Sequence, residues 1–161
     1  YYSIENYSQT VLFLSRFVER YTNGFISGKG FDLVKDYENS FDKLIQYINK
    51  NKEILNQIYD CLSKFGITTE ENLRKGVPLA LAYCCLFNDN KSHTELMDNF
   101  KKLYRGNILG TLRNKLAHEG IGVKKKDIKP LVCSIENIYK IYKLPQTNIY
   151  NHINNEIIKR L

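Results

Sequence analysis

Arg113, Asn114 and His118, in the stretch LGTLRNKLAHEG at 109–120, form the grouping in this chain that is suited to reaction chemistry. Arginine carries a permanent cation with a donor fork that fits phosphate oxygens. An imidazole gives or takes a proton near neutral pH, and a carboxamide can orient either group. Together they point to phosphodiester chemistry. The same residue types also have a plainer use, because a histidine near a helix C-terminus is favoured by the macrodipole and Arg and Asn are common surface polars.

The element that must position them is read from the leucines. At about 100° per residue, Leu109, Leu112 and Leu116 fall on one stripe with Ile108 at its edge, which predicts an amphipathic helix docked on a core and stopped by Gly120. On that wheel Asn114 and His118 lie about 40° apart and face away from the leucines. Arg113 sits at the stripe's border, about 140° from His118.

The rest of the chain reads as further helices. VLFLSRFVERY belongs to a first helix from about 5 to 22, ended by the loop TNGFISGKG. That loop lacks the G-x-x-x-x-G-K-[ST] phosphate pattern and follows no strand. Apolar residues at three- and four-residue steps predict a second helix over 31–49, with Asp32 and Asp36 as a helix-start charge pair rather than a metal site. A third helix runs from Lys52 to Phe65 and stops at Gly66. Thr68 to Glu71 reads as a capping box, interrupted at Gly76 and Pro78. The run LALAYCCLF after Pro78 is apolar on nearly all sides, as expected for a central, enclosed helix. Ser92 with Glu95 is a second capping box, opening a helix through Leu96, Phe100 and Leu103 that Gly106 kinks or splits from the motif helix. Downstream of His118, GVKKKDIKP is a basic loop, followed by a helix from Leu131 to Leu144 and a short tail helix over Asn148 to Leu161. No strand-like alternation supports a sheet. The expected fold is all-α, a single helical bundle of six to seven helices spanning 1–161.

With 161 residues and 43% hydrophobic content, one domain with a sizeable core is expected. The longest apolar run, Val77 to Phe87, is well short of the ~20 residues that span a bilayer. The N-terminus lacks secretory features, so a soluble cytoplasmic protein with no membrane association is expected. Cysteines at 61, 84, 85 and 133 form no C-x-x-C pair and have no histidine at zinc spacing, which predicts reduced core thiols with no metal and no cofactor. The net charge of +7 is uneven: residues 1–100 hold 11 basic and 13 acidic side chains, residues 101–161 hold 13 and 4. The positive charge travels with the motif, which suits a polyanionic partner. Arg105, Lys115, Lys124, Lys125 and Lys126 are the candidate contacts to a nucleic-acid backbone. The chain begins at Tyr1 and its one methionine is Met97, so a piece of a longer protein with an upstream domain, or a processed chain, is expected.

Taken whole, the string has a hydrophobic residue before Arg113, Asn after it, a small residue before His118 and a glycine stop. It resembles the HEPN superfamily of helical domains, whose ribonuclease members carry R-x-x-x-x-H, often with Asn after the Arg. The match covers about a dozen residues at the end of an apolar-striped helix. The resemblance implies a metal-independent endoribonuclease acting on single-stranded RNA, with a composite site at a homodimer interface and 2′,3′-cyclic phosphate or related ends. Chemistry agrees: attack by the 2′-hydroxyl needs a proton carrier and cations for the developing charge, which His118 and Arg113 supply. Glu119 and Asp127 are the acids within ten residues of His118, a poor set for metal-dependent cleavage. One histidine cannot readily act on both sides of a phosphate, so a second copy completes the set, with Asn114 orienting an imidazole. Within the superfamily, the resemblance points first to CRISPR type III ancillary ribonucleases, which implies an upstream ligand-sensing CARF domain, while abortive-infection proteins and toxins paired with antitoxins also carry HEPN domains. The alternative is a catalytically silent HEPN module for nucleotide, RNA or antitoxin binding, or a helical interaction protein.

Overall fold

Eleven residues with hardly a polar side chain among them make the helix around which the others pack. In the computed structural model, which describes residues 7–67 and 73–141, this helix spans Val77–Phe87 with Pro78 in its first turn. Proline suits that position because the N–H it lacks would have no intrahelical acceptor. Leu79, Ala80, Leu81, Ala82, Tyr83 and Cys84 are all buried. In chain order the helices are α1 (Tyr7–Gly28), α2 (Tyr37–Lys50), α3 (Lys52–Lys64), α4 (Val77–Phe87), α5 (Lys91–Tyr104), α6 (Ile108–Asn114), the single turn α7 (Lys125–Ile128) and α8 (Val132–Ile141). The fold is all-α, with no strand among the described residues. Six of these helices have ten residues or more, in line with the expected bundle. The capping box at 68–71, the side chain of Ser92 and everything beyond 141 lie outside the described residues.

One apolar core runs through the described molecule. Helix α4 packs against α1, α3 and α5, and α5 in turn contacts α6 and α8. The Cys84 thiol donates to the Thr22 carbonyl at 3.7 Å, tying α4 to α1. Phe17 and Tyr21 meet Phe100 edge-on, with centroids 5.7 and 5.4 Å away, which locks α1 to α5. None of the described helices is long and apolar enough to cross a membrane.

Two helix boundaries depart from the local reading. α1 continues to Gly28 instead of ending at 22. Its extra turns bury Ile26 completely and pack Phe25 on the core, a gain that outweighs the ~1 kcal/mol cost of Gly24 inside a helix. α2 begins at Tyr37 rather than 31, because Phe31 to Asp36 form a turn that plants Leu33 in the core. There the Asp36 N–H reaches the Asp32 carbonyl at 3.0 Å, and the Asp32 side chain accepts from the Lys35 N–H at 3.2 Å. Asp36 stands at the helix start, whereas Asp32, expected there with it, lies in the turn before the helix. α3 matches its expected span, opened by Asn51, whose side chain accepts from the N–H groups of Glu53 and Ile54.

The split before the motif helix is real. Arg105–Asn107 form a 3-10 turn with Gly106 at φ 62 and Asn107 at φ 55. Gly66, after α3, packs backbone to backbone on this turn: a Cβ at Gly66 would lie 3.1 Å from the Gly106 Cα. Downstream, the segment expected as a basic loop is instead ordered into α7 and a 3-10 turn, Lys129–Leu131, anchored by buried Ile128 and Leu131. Cys133 is also a correction, since it is exposed rather than in the core. Leu131, Ile135 and Ile138 define the buried stripe there, and Cys133 falls on the opposite side.

Candidate functional site

The leucine stripe does what its spacing predicts. Leu109 and Leu112 are buried, Ile108 and Leu116 half-buried, and α6 rests on α1 and α5. Gly110 allows the Asn107 side chain to fold over the first turn, because a Cβ there would sit 2.3 Å from the Asn107 Oδ1. Arg113, Asn114, Lys115 and His118 all lie on the exposed side.

The motif does not sit on one regular α-helix. After Asn114 the chain widens into a π turn, Lys115–Glu119, capped by Gly120 at φ 64. The N–H groups of Gly120 and Ile121 both reach the Lys115 carbonyl. In a π turn each residue advances less than 100°, so the wheel angles from Arg113 and from Asn114 to His118 both shrink. On an ideal wheel the wide turn thus sets His118 at a smaller angle from both residues than a regular helix would.

The Arg113 Nη1 donates to the Asn114 Oδ1 at 3.2 Å, so these two side chains act as one polar unit. Tyr104, at the end of α5, senses the same group. Burial pushes its phenol well above the ordinary value, the Glu19 carboxylate adds to the effect, and the Arg113 guanidinium opposes it. Glu19 and Arg113 thus both act on the Tyr104 phenol, although no local pattern marks the three residues as neighbours.

The candidate RNA contacts divide into three groups. Lys115 is exposed on the motif turn itself, while Arg105 is exposed on the 3-10 turn before α6, at the other end of that helix. Lys124, Lys125 and Lys126 are exposed at the start of α7. Their segment is held in place: the Val123 N–H donates to the Ser8 hydroxyl at 3.0 Å, and the Lys124 N–H to the Asp127 Oδ2 at 3.0 Å. Because α1 contacts both α6 and α7, it is the common support of the motif and the lysines. Ser8 was not foreseen, being 115 residues away in sequence from its partner.

Among the described residues no group of three or more His, Cys, Asp or Glu side chains is placed to hold a metal ion. Comparison with family models, curated proteins and solved structures gives no match to this chain.

Proposed function

We propose that this chain is a HEPN-type ribonuclease domain, a metal-independent endoribonuclease that cleaves single-stranded RNA at a site shared by two copies. The observation that supports it most is the exposure of Arg113, Asn114 and His118 together on a helix whose other face is anchored by Leu109 and Leu112. Among the described residues, the hydrogen bond that Arg113 makes is the one to Asn114. In this reading His118 of one copy accepts the 2′-hydroxyl proton, and the 2′ oxygen attacks the adjacent phosphorus. The 5′ oxygen leaves with a proton from the second copy's His118, and the guanidinium of Arg113 stabilises the phosphorane-like charge. The products are a 2′,3′-cyclic phosphate and a 5′-hydroxyl, and DNA, lacking the nucleophile, is not cut. Arg105, Lys115 and Lys124 to Lys126 hold the RNA backbone by charge.

A second copy is further supported by two apolar side chains left open. Ile121, just after the motif, is 52% exposed, and Leu12, one helical turn beyond Ser8, is 36% exposed. Leu12 lies one turn from Ser8, whose hydroxyl accepts from the Val123 N–H, two residues after Ile121. The setting we propose is cytoplasmic antiviral defence, with activity governed by an upstream ligand-sensing domain.

The test is cleavage of single-stranded RNA by the full-length protein in EDTA, with solution mass measured in parallel. Expected are a dimer, cyclic phosphate ends, intact DNA, and activity lost in Arg113→Ala and His118→Ala at unchanged melting temperature. Cleavage that survives His118→Ala, or that requires a divalent metal, would falsify the mechanism. RNA bound but never cut would favour a silent binding module.

A further inference from the structure

Tyr47, at the edge of the exposed face of α2, keeps 42% of its surface open to solvent. The ring is nonetheless held. Phe31, in the turn before α2, meets it with centroids 5.7 Å apart, and Phe31 in turn stands edge-on to the buried Tyr83 of α4 at 6.3 Å. The open ring is thus backed by aromatics that run into the core. At about 100° per residue, Lys43 and Lys50 lie about 40° and 60° round the helix from Tyr47, and about 10 Å apart along its axis. Both are exposed, and neither is paired with an acid among the described residues. Asn39 and Gln46, exposed and uncharged, complete the same strip. The acids of α2, Glu38 and Asp42, lie toward its far edge, where Lys75 takes both at 2.7 and 2.9 Å. Charge is therefore sorted across the helix, with a neutralised acidic edge and a cationic strip beside the ring. One open ring falls far short of the ~800 Å² per partner that a protein interface buries, whereas it matches the face of a single base.

We propose that this strip is a second nucleic-acid contact, at which one base of a single-stranded RNA stacks on Tyr47 while Lys43 and Lys50 hold the neighbouring phosphates. Every base has a face to stack and every nucleotide a phosphate, so the contact tolerates any sequence. The strip is carried by α2, which packs on α3, and the motif by α6, which rests on α1 and α5. It lengthens the footprint of the bound RNA and takes no part in cleavage. The proposal rests on RNA being the ligand, as above, and needs none of the cleavage chemistry.

The experiment uses full-length protein carrying His118→Ala, which leaves RNA intact, titrated with a fluorescein-labelled single-stranded RNA and cross-linked to a 4-thiouridine form of it. Expected are a cross-link on the α2 peptide that holds Tyr47, and an affinity lowered at least about fivefold by Tyr47→Ala but kept by Tyr47→Phe. Lys43→Ala with Lys50→Ala, which empties no core volume, should weaken binding and flatten its log–log salt slope by about 1.4, at about 0.7 per lost phosphate contact. Melting temperatures check that the variants fold. Binding that Tyr47→Ala and the lysine pair leave unchanged, while alanines at Lys124 to Lys126 weaken it, overturns the strip without touching the ribonuclease reading. RNA held through Tyr47 but never cut when His118 is intact upholds the strip and overturns the ribonuclease reading. Absence of RNA binding overturns the strip, as do variants that lose binding to phosphatidylserine vesicles but keep binding to RNA.

Discussion

Asn114 occupies one of the five N–H donors of Arg113 and leaves the rest of the fork open to a phosphate. Its substitutions should therefore separate two effects. Asn114→Ala removes an orienting acceptor and should lower RNA cleavage by about tenfold, less than the roughly 100- to 10,000-fold expected for loss of a proton carrier. Asn114→Asp keeps the shape but pairs the guanidinium with a charge that also repels phosphate, so its loss should be the greater of the two. If Asp and Ala are equal in single-turnover rates, the Arg113–Asn114 unit has no part in cleavage. Tyr104 supplies a pH test. Its folded-state pKa is raised above 10.0, chiefly by burial. Its neutral form is therefore the one the fold favours; that contribution is complete below the unfolded value of about 10 and is lost as pH rises past it. Chemical denaturation from pH 9 to 11 should show stability falling with pH, and Tyr104→Phe should flatten that slope.

At the scale of elements, two glycines that share a contact should differ in what they tolerate. Gly66 and Gly106 both have positive φ, 74 and 62, so either pays ~1–2 kcal/mol on becoming alanine. A Cβ on Gly106 meets open space, whereas one on Gly66 runs into Gly106 Cα at 3.1 Å and C at 3.3 Å. Gly66→Ala should therefore be the more destabilising in urea melts, and it should also disturb the turn that launches α6. Equal losses would mean that the two backbones move apart freely. Leu109→Ala, in the fully buried part of the stripe, should cost about 2–5 kcal/mol and lower activity only through unfolding, with Leu116→Ala milder because Leu116 is half-buried.

At the scale of the whole molecule, charge is divided between the halves of the chain, and α1, from the half with net negative charge, supports the motif and lysine segments of the basic half. The lysines are held in register by Ile128, by Leu131 and by the Ser8–Val123 bond, so they present charge from a fixed position. Replacing Lys124, Lys125 and Lys126 with alanine should weaken RNA binding and flatten its log–log salt slope by up to about 2, at about 0.7 per lost phosphate contact. Unchanged binding and slope in a fluorescence titration would reduce these lysines to a solvated face.

By itself the sequence determined the helical class, the leucine stripe of α6, the enclosure of α4, the span of α3 and the break at Gly106. Each follows from periodicity or from a glycine within a few residues, which are local quantities. Only the tertiary structure decided that α1 runs on past Gly24, that Phe31 to Asp36 turn instead of coiling, and that the lysine segment is held in place. It also decided that Glu19 and Arg113 act on the Tyr104 phenol and that the motif widens at Lys115. The reason is physical: a side chain's apolar spacing says which face will be buried, but the partner that buries it comes from elsewhere in the chain. Thr22 meets Cys84 across 62 residues and Ser8 meets Val123 across 115, and neither separation leaves a trace in local periodicity.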